Sequence, residues 1–242
     1  MMFTAIQKIS ISIISAMCIL MAVFGIFNKQ SYNSITTDNS AFDNAVLCDY
    51  ASFEEEENNF SENINVEYIN DQLKNADTIF VGTVKDIKNQ YECLRYTINI
   101  DKVVKGKNIN ISETVVLYEY SHFILNENNE LEYFQTVTKN LPLQKNKQYL
   151  LFAERLEYEK DYQQTLKHKE FRIFDAEIST FCITNNQDKA LKSNAKQFRD
   201  IKNNEYICFS SKALNNINSI KRKIINMYLK KTEIPCVEIL DI

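Results

Sequence analysis

The sequence predicts a mainly β fold with accompanying helices, set behind one amino-terminal membrane helix. Three observations point there. An uncharged run extends from Ile9 to Phe27, short β-forming segments follow one another closely between Thr78 and Ala153, and apolar residues recur at helical spacing from Leu214 to Met227.

The uncharged run is flanked by Lys8 and Lys29. Nineteen residues of helix rise about 28 Å, close to the thickness of a bilayer's hydrocarbon core. A cleaved signal would carry a shorter apolar region and a small-x-small step, whereas this run ends in Phe24-Gly25-Ile26-Phe27-Asn28-Lys29. Cys18 suggests a lipidation site, but Met17 before it is bulkier than such sites accept. Residues 1–28 therefore read as an uncleaved signal anchor, with secretion after cleavage as the alternative. Positive charge on the short leading tail favours the cytoplasmic side for that end, so the body is expected outside the cytoplasm.

Residues 29–62 read as a polar, acidic linker containing the run Glu54-Glu55-Glu56-Glu57, which should stay solvated rather than bind a cation. Within it Phe42, Val46, Leu47, Tyr50 and Phe53 suggest a short helical turn. The body is apolar enough to bury a core, at 45% hydrophobic and 12% aromatic residues. Its few glycines and prolines leave most turns to Asn, which tolerates the left-handed conformation. A formal charge of −4 gives no pull on nucleic acid or anionic lipid, and no nucleic-acid partner is expected.

Residues 63–160 read as a β-barrel entered through a short helix, with Ile64, Tyr68, Ile69 and Leu73 at helical spacing. Thr78 to Val84 is an apolar β-former run, in which Gly82 marks a bulge or a close backbone approach. Tyr96, Ile98 and Ile100 alternate with Thr97, Asn99 and Asp101, the period of a half-buried strand. After the turn at Lys105-Gly106-Lys107-Asn108 come Thr114 to Tyr118, Glu132 to Val137 and, past Pro142, Gln148 to Ala153. Five closely spaced strands suggest a small barrel or sandwich, and closure would remove the sheet edges.

The segments Ala76 to Val84, Tyr96 to Val104 with Lys105-Gly106, and Leu143 to Ala153 resemble bacterial extracytoplasmic domains of the tissue-inhibitor-of-metalloproteinases or netrin-module type. That resemblance covers about residues 64–160 and implies an OB-like five-stranded barrel. The inhibitors clamp a zinc through an amino-terminal cysteine. No cysteine leads the domain here, so inhibitory chemistry does not carry over.

Residues 161–242 read as an α/β extension. Phe171 to Phe174 and Ile178 to Ile183 are strand-like, Asp188 to Ile201 has helical spacing through Leu191, Ala195 and Phe198, and Glu205 to Phe209 is a short strand. Ser210 or Ser211 caps a longer helix striped by Leu214, Ile217, Ile220, Ile224 and Met227, expected to pack on its own domain. Lys230-Lys231 near its end suits the helix dipole.

Chemistry is sparse. The six cysteines lack any C-x-x-C pair, and with Cys18 in the membrane the remaining five are an odd number. Cys182 and Cys208, in matching apolar runs, could form a disulfide closing about 27 residues and contributing roughly 3 kcal/mol, or stay as two buried thiols. His122 and His168 have no partners at metal-ligand spacing, and no glycine-rich phosphate loop or nucleophile elbow can be built. No catalytic, cofactor or metal residue is therefore assigned. The first expectation is a membrane-anchored, extracytoplasmic, non-catalytic module that binds a protein or envelope component. The alternatives are a surface hydrolase using carboxylates among Glu154, Glu157, Glu159 and Asp161, or a tether linked through its odd cysteine. The basic cluster Lys221-Arg222-Lys223 reads as a solvated helix face or a headgroup contact.

Overall fold

The computed structural model describes residues 14–21, 35–36, 42–48, 64–90, 92–126, 131–136, 140–159, 166–184, 188–191 and 197–229. The chain divides into two units, Met1–Ile35 and Thr36–Ile242. In the first, residues 14–21 are helical, and Ile14, Met17, Ile19, Leu20 and Met21 are all exposed. Among the described residues no helix is long and apolar enough to cross a membrane. The rest of the apolar run, 9–13 and 22–27, lies outside them, as do the acidic run 54–57 and Lys230-Lys231.

The second unit is mainly β. Its strands are β1 (Val46–Leu47), β2 (Thr78–Gln90), β3 (Cys93–Lys105), β4 (Thr114–Glu119), β5 (His122–Leu125), β6 (Leu131–Gln135), β7 (Gln148–Arg155), β8 (Lys169–Ile173) and β9 (Thr180–Cys182). Helices are α1 (Val66–Leu73), α2 (Phe198–Ile201) and α3 (Ser211–Leu229). Five strands close into a barrel in the cyclic order β2-β3-β4-β8-β7. The pairing of β4 with β8 is parallel, and the other four are antiparallel. Outside the ring, β9 adds to the first half of β7.

Alternation explains β3, where Leu94, Tyr96, Ile98 and Ile100 are buried and their neighbours half-buried. On β2, Ile79 and Val81 join Leu150, Phe152, Ile178 and Phe181 in a core shared with the helices. Phe80 between them meets Phe171 of β8 instead, at a ring distance of 6.1 Å. Gly82 sits where the β2–β3 register shifts, and a Cβ built there would lie 2.5 Å from the Ile98 Cγ2. The expected close approach is present, and it concerns space rather than backbone angle.

The helices close one side of the barrel. Asn65 caps α1 by accepting from the Tyr68 N–H at 2.9 Å. At its other end Lys105 of β3 donates to the Lys74 and Ala76 carbonyls at 3.0 and 2.5 Å, placing a cation at the negative end of the helix. Ser210 caps α3, accepting from the Ala213 N–H at 3.1 Å. Leu214, Ile217, Ile220 and Ile224 of the expected stripe enter the core, whereas Met227 is exposed. The helix thus packs on its own unit.

A smaller sheet, in the order β1-β6-β5, carries the stretch expected to be the barrel's fourth strand. The β6 pattern buries only Phe134, too little for a barrel strand enclosed by neighbours on both edges. The barrel takes its last strand from β8, beyond residue 160. Phe42, Phe123, Phe134 and Phe198 form one aromatic cluster, with ring distances of 4.0 to 5.4 Å. Residues 42–48 therefore fold as a turn and a two-residue strand rather than a helical turn in a solvated linker. Asp43 reinforces them with an ion pair to Lys202 at 2.6 Å. Asn89 of β2 binds this sheet to the barrel. Its carboxamide accepts from the Phe123 N–H and donates to the Phe123 carbonyl, both at 2.9 Å, as a neighbouring strand would.

Two expected elements of the carboxy-terminal region differ. Residues 188–191 are not helical, because Lys189 and Leu191 bond instead to Asn204 and Cys208. The helix is confined, among the described residues of that stretch, to α2. Glu205 to Phe209 is not a strand but carries a single bridge, Tyr206 to Asn140.

Candidate functional site

Parallel pairing puts the carboxy-terminal ends of β4 and β8 at the same end of the barrel. The tip of the β2–β3 hairpin reaches that end too, and β5 and β6 stand beside it. Together they bound an open cleft of about 530 Å³, lined by Glu92, Tyr120, His122, Gln135, Arg172 and Asp175 among others. Tyr120 is 61% exposed, a large share for an aromatic ring at a cleft wall.

The charges of this cleft are unevenly committed. Arg172 holds Glu154, its Nη2 and Nε at 2.5 and 2.7 Å from one carboxylate oxygen. Glu154 first, then the Tyr120 hydroxyl, raise the guanidinium's pKa further. Glu92 and Asp175 make no ion pair among the described residues. Glu92 and Asp175 thus share the cleft lining with a guanidinium that Glu154 already holds. Burial lowers the His122 imidazole's pKa, against the opposing pull of Glu92, so the ring is mainly neutral at neutral pH. Its Nδ1 is buried and has no hydrogen-bond partner among the described residues.

At the opposite barrel end a second cleft holds Glu113, Arg155, Tyr158, His168, Lys169 and Glu170. Its polar groups mostly satisfy one another. Lys169 pairs with Glu113 at 2.7 Å, and Tyr118 and Tyr158 both donate to Glu170, at 3.2 and 2.8 Å.

Two buried carboxylates lie away from both clefts. Glu119 at the end of β4 accepts from the Tyr96 hydroxyl and from Ser121, the latter at 3.2 Å. Burial pushes its pKa up to about 7, with those two donors pulling the other way. Glu205, 3% exposed, accepts from the Lys221 ammonium, from the Cys182 N–H at 2.6 Å and from the Tyr206 hydroxyl at 2.8 Å.

The residues singled out by sequence end in different places. Glu154 is taken up by Arg172, Glu157 and Glu159 are exposed, and Asp161 lies outside the described residues. Cys182 and Cys208 are both buried, with the Cys182 Sγ 3.0 Å from the Thr184 carbonyl oxygen. Burial first, and Glu205 second, raise the Cys182 thiol's pKa. The basic cluster is split, for Lys221 turns inward to Glu205 while Arg222 and Lys223 remain exposed. His122 and Glu92 escape sequence reasoning because they lie thirty positions apart and only strand pairing joins them. Among the described residues no group of three or more ligating side chains is placed to hold a metal.

No protein-family model and no curated protein matches this chain.

Proposed function

We propose that the chain is a single-pass, membrane-anchored binding module whose barrel stands outside the cytoplasm and engages a protein or envelope component. The anchor is the uncharged run Ile9–Phe27. The barrel connectivity supports an OB-like assignment, since a five-stranded Greek-key barrel with one parallel pair is the OB arrangement. The observation that carries the binding reading is the open cleft with Tyr120 exposed at its wall. Two unpaired carboxylates beside an aromatic face favour a basic group on the partner, held by charge and by cation–π attraction. A carboxylate-based hydrolase is less favoured, because Arg172 holds Glu154, and neither it nor the exposed Glu157 and Glu159 lines either cleft.

Tyr120→Ala, and separately the pair Glu92→Lys and Asp175→Lys, are expected to weaken capture of the partner from crosslinked envelopes by tenfold or more, about 1.4 kcal/mol. Thermal stability should not change, because all three side chains are exposed. Unchanged capture, or loss only together with unfolding, would overturn the cleft assignment. Location has its own measurement. A membrane-impermeant maleimide applied to intact cells is expected to label the half-buried Cys48 or Cys93 before lysis, with lysed and denatured cells as the control for access. Labelling only after lysis would place the body inside.

A further inference from the structure

We propose that Asp188 is a proton-operated latch on the strap of residues 188–191, closed when the carboxyl carries a proton and loosened when it does not. The strap lies against residues 204–208. Leu191 donates its N–H to the Cys208 carbonyl at 2.7 Å, Lys189 donates to the Asn204 Oδ1 at 3.2 Å, and Asn204 returns a bond to the Lys189 carbonyl at 2.7 Å. At the head of this ladder the Asp188 Oδ1 accepts from the Glu205 N–H at 2.9 Å, while its Oδ2 is buried and has no hydrogen-bond partner among the described residues.

The charges facing Asp188 explain why a proton belongs there. Glu205 lies on the segment before α3, Lys221 on α3 and Lys147 on the loop before β7. Tyr206 also feels the Asp188 charge, but its hydroxyl is committed to Glu205, with which Lys221 is already paired. An ionised Asp188 would therefore put a second negative charge beside Glu205, in a place where one of its oxygens finds no donor. Protonation removes that repulsion and the cost of holding a charge on an oxygen that no donor meets. Burial, then Glu205, raise the Asp188 pKa to about 6.

The sign follows from linkage. A carboxyl whose pKa is higher in the closed state binds its proton more tightly there, so closure is favoured at low pH. That advantage is lost as pH rises from the ordinary value near 4 towards 6, and it is flat above. A difference of about two pH units corresponds to a factor of about a hundred in the opening equilibrium.

Hydrogen exchange of the full-length chain, corrected for intrinsic rates, tests this at the Leu191 and Glu205 amides between pH 4.5 and 7.5. Opening in the native protein is expected to increase by tens of fold across that range. In Asp188→Asn it should stay near the low-pH level throughout. Parallel pH profiles in the two proteins, or a variant more open at every pH, would overturn the latch. Direct titration of the Asp188 carboxyl by carbon NMR in the native chain gives a second reading that requires no variant. A midpoint near 6 supports the latch, and one at or below 4 overturns it.

Discussion

Replacing Glu205 with alanine is expected to destabilise the folded chain by about 3–5 kcal/mol, the usual result of leaving a buried ionic partner uncompensated. The carboxylate is the meeting point of an ammonium, a backbone N–H and a phenol. Truncation strands the ammonium and the N–H, and leaves the phenol only the Thr180 carbonyl, at 3.3 Å. The Lys221 side chain is 13% exposed and cannot regain its full hydration without leaving α3's packed face. The Cys182 N–H lies on β9 and the Tyr206 ring is fully buried, so neither finds water easily. For a unit of this size the loss corresponds to about 6–20 °C in Tm. Lys221→Met should cost less, because the carboxylate keeps its other two donors. Removing both ends, as Glu205→Leu with Lys221→Met, should recover much of the loss, since two apolar groups need no partners. Chemical denaturation at pH 5, where Asp188 is largely protonated, separates this effect from relief of the Asp188 repulsion. A Glu205→Ala loss below about 1 kcal/mol would mean that the ammonium rehydrates, and that the cluster does not fix α3.

The contrast between Lys221 and its neighbours shows where the sequence is legible. Leu214, Ile217, Ile220 and Ile224 mark the buried face of α3 by spacing alone. A lysine on the edge of that face has no local signal that its partner lies sixteen residues earlier. The same limit applies to the barrel. The strands β2, β3, β4 and β7 announce themselves by apolar alternation, because the pleat sends every second side chain inward. The last barrel strand does not. In Lys169–Ile173 only Phe171 is fully buried, and a strand so short and polar is selected by its neighbours β4 and β7 rather than by its own pattern. Glu132 to Val137 reads as the better strand, and the strand found there, Leu131–Gln135, belongs to the smaller sheet.

Residues 42–48 escaped for a related reason. A stretch beside an acidic run looks like solvated linker until Phe42 finds Phe123, a contact across eighty-one residues. The cleft is of the same kind. Tyr120, His122, Glu92 and Arg172 share no motif, and they come together because β4 and β8 run parallel and end at the same mouth. Local chemistry specifies strands and caps, whereas closure of the barrel specifies the candidate site. That order makes a close crossing of two barrel strands a place where a small change reaches far.

That crossing is at Gly82. Gly82→Val is expected to cost more than about 3 kcal/mol and Gly82→Ala about 1–3 kcal/mol, as overpacking of a closed wall does. The first carbon of either side chain would meet the Ile98 Cγ2 at 2.5 Å, the Asn99 carbonyl oxygen at 3.1 Å and the Phe80 Cε2 at 3.3 Å. Two of these neighbours belong to β3, which is tied on both edges, so the strand cannot swing away without opening a ladder. The Ile98 methyl must yield instead, and Ile98 is fully buried. A spatial cause makes a distinctive prediction, because Ile98→Ala removes the clashing methyl. In that background the added cost of Gly82→Ala should fall by at least about 1 kcal/mol, a coupling that denaturation of the four proteins of the cycle would measure. Strict additivity would locate the requirement for glycine in backbone freedom at the register shift, and the close approach of β2 to β3 would then be incidental.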